Sequence, residues 1–148
     1  MKFSTSIEYA IHGLIYLAKV LPGRTALISD IAKATRVPEA YLRKVFQRLG
    51  RSGIVISQRG ARGGFRLSRD SQQINLKEVV ESIDGSLPMY SCLKVRRGCS
   101  LGLPCPVHKT FEDARRQMGE VLEATSIADL LKDITRQEPM VEWLQVTS

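Results

Sequence analysis

No apolar run in this 148-residue chain approaches the ~18 residues that cross a bilayer as a helix, so a helical membrane span is not expected. The start, Met1-Lys2-Phe3-Ser4-Thr5, leads into a segment broken by Glu8 and His12 and lacks a small-residue cleavage site. A secretory signal is therefore not expected, and the expected location is cytoplasmic. Cysteine is limited to three residues, which cannot all pair within one chain. Cytoplasmic thiols stay reduced, so a disulfide framework is not expected either. Acidic side chains are outnumbered, 15 against 22 basic ones, giving a net charge of +7. That balance attracts polyanions. No paired acid/base constellation or phosphate-cradling loop stands out, and the expectation is that this is not an enzyme. The enzymatic alternative, Cys99 or Cys105 as a nucleophile with His108, has no supporting groups.

The elements that are present follow a regular order. Ile7, Ala10, Ile11, Leu14, Ala18 and Leu21 recur at helical spacing and predict a helix over 5–21, stopped by Pro22-Gly23. Ser29-Asp30 can cap a short helix from Ile31 to Thr35. Pro38 is suited to the first turn of a third helix running to about Leu49, burying Leu42, Val45, Phe46 and Leu49 and closed by Gly50 and Gly53. Two short helices joined by a tight turn, the second basic, form a helix-turn-helix pattern. Ile54-Val55-Ile56 and Phe65-Arg66-Leu67 flank the glycine-rich stretch 58–64 and predict a β-hairpin, placed as a wing. Asn75 opens a helix from Leu76 to Ile83, ended by Asp84-Gly85. From about Val107 a long helix to about Ala124 carries Phe111, Ala114, Met118, Val121 and Thr125 as an approximate a/d stripe, widened by Leu122. Ser126 and Asp129 form a capping-box pattern for a last helix to about Arg136. The tail, with Pro139 and Trp143, is expected to be partly ordered at best.

The expected fold is therefore mainly α with a small β-hairpin wing: a winged helix-turn-helix plus a long dimerisation helix. Its parts are a DNA-binding head at 1–85, a cysteine-rich loop at 86–108, dimerisation helices at 107–136 and a tail at 137–148.

Two constellations carry chemistry. Between Arg36 and Arg69 lie Arg36, Arg43, Lys44, Arg48, Arg51, Arg59, Arg62, Arg66 and Arg69, with Glu39 as the only acid. A basic helix beside a basic wing is the electrostatic footprint of a double-stranded DNA binder. The helix suits the major groove, and an arginine on the wing suits the narrow minor groove. The candidate contact residues are Ala40, Tyr41, Arg43, Lys44, Arg48, Arg59 and Arg62. The second constellation is the loop Cys92-x6-Cys99-x5-Cys105-x2-His108, which holds every cysteine of the chain. Thiolates and an imidazole on a glycine- and proline-bearing loop form a soft-ligand site. The spacing is close to that of Cys3His zinc fingers and equally compatible with an iron–sulfur cluster. Glu8 and His12, one turn apart on the first helix, are either an exposed polar pair or a source of a further metal ligand.

With Tyr9-Ala10, Ala40-Tyr41-Leu42, Phe46, Arg59-Gly60, Gly63-Gly64-Phe65 and Val79 through Asp84-Gly85 preceding the three-cysteine loop, residues 1–135 resemble the Rrf2 family of bacterial winged-helix transcription regulators. The resemblance implies a homodimer joined by crossed long helices and a regulator, expected to be a repressor, controlled by an iron–sulfur cluster that senses iron, redox state or nitric oxide. It matches Cys92, Cys99 and Cys105 to the cluster ligands. His108 matches the histidine ligand of IscR-like members. Glu8 occupies the place of the acidic ligand that NsrR-like members supply from the partner's first helix. His108 is favoured, being local and a good iron ligand when neutral. A [2Fe–2S] cluster is favoured over [4Fe–4S], and the alternative is a zinc-stabilised nucleic-acid-binding protein without a sensing role. Three departures stand out. The first cysteine gap is six residues where IscR-like members have five. Arg43 replaces a glutamate on the recognition helix, which changes the expected base preference from cytosine N4 to guanine O6/N7. Ala61-Arg62 replaces a Pro-Gly pair at the wing tip.

Overall fold

A computed structural model describes residues 2–20, 24–87 and 105–137. The expected stop at Pro22-Gly23, the ligands Cys92 and Cys99, and the tail beyond 137 lie outside these residues. The described elements are α1 (Thr5–Lys19), α2 (Ile28–Thr35), α3 (Glu39–Arg51), β1 (Val55–Gln58), β2 (Gly64–Leu67), α4 (Leu76–Asp84), α5 (Pro106–Ala124) and α6 (Ile127–Arg136). The expected fold class is observed. A 3₁₀ turn at Ser71–Gln73, capped by Asp70, completes the described set and was not expected.

Helix α1 is the axis of the head and packs against α2, α3, α4 and α6. Its buried face includes Ile7, Ala10 and Leu14, as the spacing predicts, and also Gly13, Ile15 and Leu17, which the spacing did not mark; Ile11 and Ala18 are half-buried. A Cβ on Gly13 would lie 2.6 Å from Cε2 of Phe46, so the missing side chain lets the α3 ring lie against the α1 backbone. Phe46 also meets Phe65 of the hairpin edge-on, with ring centroids 5.1 Å apart at 74°. Such a pair adds about 0.5–1.5 kcal/mol beyond area burial. One side chain thus fastens α3 to both the axis and the wing.

Several boundaries differ from expectation, each for a local reason. α2 begins at Ile28 instead of Ile31, and Ser29-Asp30 does not cap it. Ile28 is buried, so the apolar face Ile28, Ile31, Ala32, Thr35 starts one turn earlier. Pro38 is the N-cap of α3 and stands just before its first turn. Gly50 does not close α3 but lies inside it. Closure falls to Gly53, at φ 75°, followed by the N–H of Ile54 donating to the carbonyl of Leu49 at 2.9 Å.

β1 and β2 pair antiparallel in the register Val55↔Leu67 to Gln58↔Gly64. Ala26, just before α2, adds a bridge to Phe65 on the outer edge of β2. Asn75 and Ser126 each head a complete capping box, with Glu78 and Asp129. They also face each other: the N–H of Leu76 donates to Thr125 and that of Ile127 donates to Ile74, both at 2.9 Å. The starts of α4 and α6 are thereby stitched together, and Ile127 is fully buried in the core of the head. α6, expected among the dimerisation helices, lies against α1 and the 3₁₀ turn.

Helix α5 runs back along α4, and at about 1.5 Å per residue it is roughly twice as long. Its contact side includes Gly119, whose missing Cβ leaves room for Leu87, together with Met118 and Leu122. Lys77 of α4 pairs with Glu123 at 3.1 Å. Val107, Phe111, Ala114 and Val121, by contrast, are exposed, Val121 at 66%.

Candidate nucleic-acid interface and ligand loop

Helix α3 presents Ala40, Tyr41, Arg43 and Lys44 to solvent, and Tyr41 is 60% exposed. This face is polar because the opposite one is taken up by Leu42, Val45, Phe46 and Leu49 in the core. Arg43 pairs with Glu39 one turn earlier at 2.5 Å, both half exposed. An exposed i,i+4 pair is worth only a few tenths of a kcal/mol, so a DNA base or phosphate can compete for the guanidinium. Arg59 and Arg62 are exposed on the wing tip. The tip is turned by the N–H of Gly63 donating to the carbonyl of Gly60, which has φ 105°.

Two arginines of the basic stretch are engaged elsewhere. Arg48 donates from Nη1 to the carbonyl oxygen of Ile83 at 2.9 Å, holding the end of α3 to the last turn of α4. Arg69 donates to Glu78 Oε2 at 2.5 Å and to the carbonyl of Gln73, tying the exit of the hairpin to the start of α4. A helix C-terminus leaves carbonyls unpaired, and a cation nearby satisfies them. The sequence shows the positive charge of Arg48 and Arg69 but not these carbonyl and carboxylate partners.

One residue near the start of α3 stands out that spacing did not single out. Arg36, in the turn between α2 and α3, has φ 56°, the only described non-glycine residue with positive φ. This left-handed conformation costs a side-chain-bearing residue about 1 kcal/mol or more. The signal available in the sequence was the tightness of the turn itself, which invites glycine at this position.

Of the loop ligands, Cys105 and His108 fall among the described residues. Cys105 is the N-cap of α5, half-buried and not in a disulfide, and its side chain makes no capping hydrogen bond. His108 is half-buried one turn further on. A soft sulfur and an imidazole nitrogen are thus carried on the same first turn of a helix that Pro106 initiates. That donor set and its spacing fit an iron–sulfur cluster or a zinc ion. On the other side of the loop, the N–H and hydroxyl of Ser4 donate to the Asp84 carboxylate at 2.9 and 2.5 Å. The start of α1 is therefore fixed to the end of α4. Glu8, exposed one turn later, lines a shallow groove with Lys2, Phe3, Ile11 and the half-buried His12.

The family model described as an iron-dependent transcriptional regulator, Rrf2, matches residues 3–133. The chain belongs to the Rrf2 family. Among curated Rrf2 relatives, the HTH-type transcriptional regulator NsrR of Bacillus subtilis is 31% identical over 134 residues, covering 90% of this chain and 92% of that one. Among solved structures, CymR, the global cysteine regulator of B. subtilis, superposes with a TM-score of 0.76 at 25% identity, covering 90% of this chain and 98% of that one. IscR of T. potens superposes with a TM-score of 0.72 at 27% identity, covering 93% and 91%. This Rrf2 chain is accordingly a DNA-binding transcription regulator of the helix-turn-helix type and not an enzyme. None of its described helices is long and apolar enough to cross a membrane.

Proposed function

We propose that this Rrf2 regulator works in the cytoplasm as a homodimeric repressor that reads double-stranded DNA with α3 and the wing, and that an iron–sulfur cluster held by Cys92, Cys99, Cys105 and His108 sets its affinity. Ala40, Tyr41, Arg43, Lys44, Arg59 and Arg62 make the DNA contacts. Arg48 acts one step behind them, holding the reader helix in place. The paired heads would read two half-sites, as in other dimeric helix-turn-helix proteins. The exposed stripe Val107, Phe111, Ala114 and Val121 supports pairing through α5. Glu8 of the partner subunit is the rival fourth ligand.

The observation that carries the regulatory reading is the Arg48–Ile83 hydrogen bond. Ile83 and Asp84 are the last residues of α4 before the cysteine loop. Ile83 holds the reader helix through its carbonyl, and Asp84 holds the start of α1 through its carboxylate. Any rearrangement that shifts the end of α4 therefore acts on α3 directly. Regulation needs two states that differ in DNA affinity, and this junction is where they would be distinguished. The cluster, when bound, supplies a group whose presence or oxidation state follows iron, oxygen or nitric oxide. A [2Fe–2S] centre is favoured over [4Fe–4S]. CymR, a global cysteine regulator, shares the fold, so the fold alone does not choose the signal. The support is the three-cysteine, one-histidine donor set.

The test is anaerobic purification followed by visible absorption and iron, sulfide and zinc analysis, with duplex affinity measured beside a Cys92→Ala variant. Iron with equimolar sulfide and an affinity that differs between the two forms is expected. Colourless protein containing zinc would establish the structural zinc site instead. Equal affinity of cluster-loaded and Cys92→Ala protein would remove the switch.

A further inference from the structure

Thr25 belongs to no helix or strand and lies three residues before α2. Its hydroxyl donates to the carbonyl oxygen of Arg62 at 2.8 Å, with the Gly63 carbonyl at 3.3 Å. The next residue, Ala26, exchanges two backbone hydrogen bonds with Phe65, at 2.9 and 2.8 Å. Ala26 thus adds a single bridge along the outer edge of β2, and Thr25 stands just before it. Gly64 accommodates it: at φ 140°, a Cβ there would lie 2.5 Å from the carbonyl oxygen of Ala26.

The wing tip has little else to order it. Residues 59–62 are exposed, and Gly60, Ala61, Gly63 and Gly64 offer almost no side chain to pack. Glycine-rich backbone loses much conformational freedom when fixed, so a contact from outside the hairpin matters more here than in a packed turn. The contact comes from the segment that enters α2, the first helix of the helix-turn-helix.

We infer that Thr25 is a positioning residue for DNA recognition. By holding the carbonyl of Arg62 it fixes the wing tip relative to α2 and α3. The Arg62 guanidinium and the polar face of α3 then meet the duplex with a set offset. The inference rests on the DNA-binding part of the proposed function and is independent of the cluster.

The test uses the full chain and a fluorescent mixed-sequence duplex, with affinity measured across a series of sodium chloride concentrations and thermal melting followed in parallel. Thr25→Val keeps the shape and loses the hydroxyl; Thr25→Ser keeps the hydroxyl. Thr25→Val is expected to weaken binding about 2- to 10-fold, the size of one lost hydrogen bond. It should also lower the salt slope by up to ~0.9, the weight of one phosphate contact. Thr25→Ser should bind like the parent. Thr25→Val combined with Arg62→Ala should bind no more weakly than Arg62→Ala alone, because both changes remove the same contact. Parental binding by Thr25→Val, additive losses in the double variant, a neutral Arg62→Ala, or a loss that follows melting temperature at unchanged slope would each overturn the inference. A parent chain that ignores the duplex even at low salt would instead overturn DNA binding itself.

Discussion

Helices α3 and α5 are both amphipathic, yet the head uses them in opposite ways. α3 buries Leu42, Val45, Phe46 and Leu49 within its own chain and turns its charges outward. α5 fully buries only Gly119, while Phe111 and Val121 remain 50% and 66% exposed. Its polar faces are laced by Lys109–Asp113, Glu112–Arg115 and Arg116–Glu120 pairs, which support a helix that gains little from tertiary packing. The same periodicity thus has two outcomes. Where the chain supplies a complementary surface, the apolar face becomes core; along α5 much of it stays exposed, which is the basis of the proposed pairing with a second chain.

The largest expected effects test this contrast directly. Phe46→Ala should destabilise the fold by about 3–5 kcal/mol in urea unfolding, since it removes the ring between α1 and the wing. Val121→Asp should leave the unfolding of the head within about 0.5 kcal/mol but convert a sedimenting dimer into a monomer. If Val121→Asp is as destabilising as Phe46→Ala, α5 is core of its own chain and the contrast is false. At the next scale, two glycines in helices should respond with opposite signs. Gly13→Ala drives a methyl into the Phe46 ring and should cost about 1–3 kcal/mol. Gly50→Ala has open space and ordinary helical backbone, and should gain about 0.5–1 kcal/mol. Equal melting shifts for the two would mean that Gly13 is not a close-approach site.

A smaller effect separates stability from function. Arg36→Gly should relieve the left-handed backbone and raise stability by about 0.5 kcal/mol, while weakening duplex binding through the lost charge. A variant that is stabilised without loss of affinity would show that Arg36 stands clear of DNA. The smallest concerns pH at the junction of α5 and α6. The Ser126 hydroxyl and N–H donate to the Asp129 carboxylate and hold it below the usual aspartate range. Because the folded value is depressed, this cap is fully stabilising above the unfolded aspartate value and is lost as pH falls through the lower folded one. The melting temperature of the parent should thus fall towards that of Asp129→Asn on acidification. A constant gap across that range would show that the carboxylate contributes nothing.

The elements with a strong local signal were legible in the sequence. The α5 and α6 boundaries, the Ser126–Asp129 capping box, the hairpin and the core of α3 all follow from patterns contained in a few consecutive residues. The start of α2 and the role of Gly50 were misread on nearby detail: the buried Ile28 opens the apolar face of α2 one turn early, and closure of α3 waits for Gly53. Contacts with distant partners were harder still. The candidate site divides along the same line. Exposed positive charge on α3 and the wing could be read from periodicity. That Arg48 and Arg69 are bound to α4 and the segment before it could not, because their partners are 35 and 9 residues away.

By itself the sequence determined which faces would be apolar, where charge would accumulate and which residues could ligate a metal, since periodicity, charge and donor type are properties of neighbouring positions. Only the tertiary structure decided that Arg48 and Arg69 are tied to groups of the chain itself, that Thr25 reaches the wing tip, and that Ile83 and Asp84 hold α3 and α1. Those outcomes depend on hydrogen-bond partners brought together by packing around α1, and a carbonyl or hydroxyl carries no mark in the sequence of the distant group it will meet.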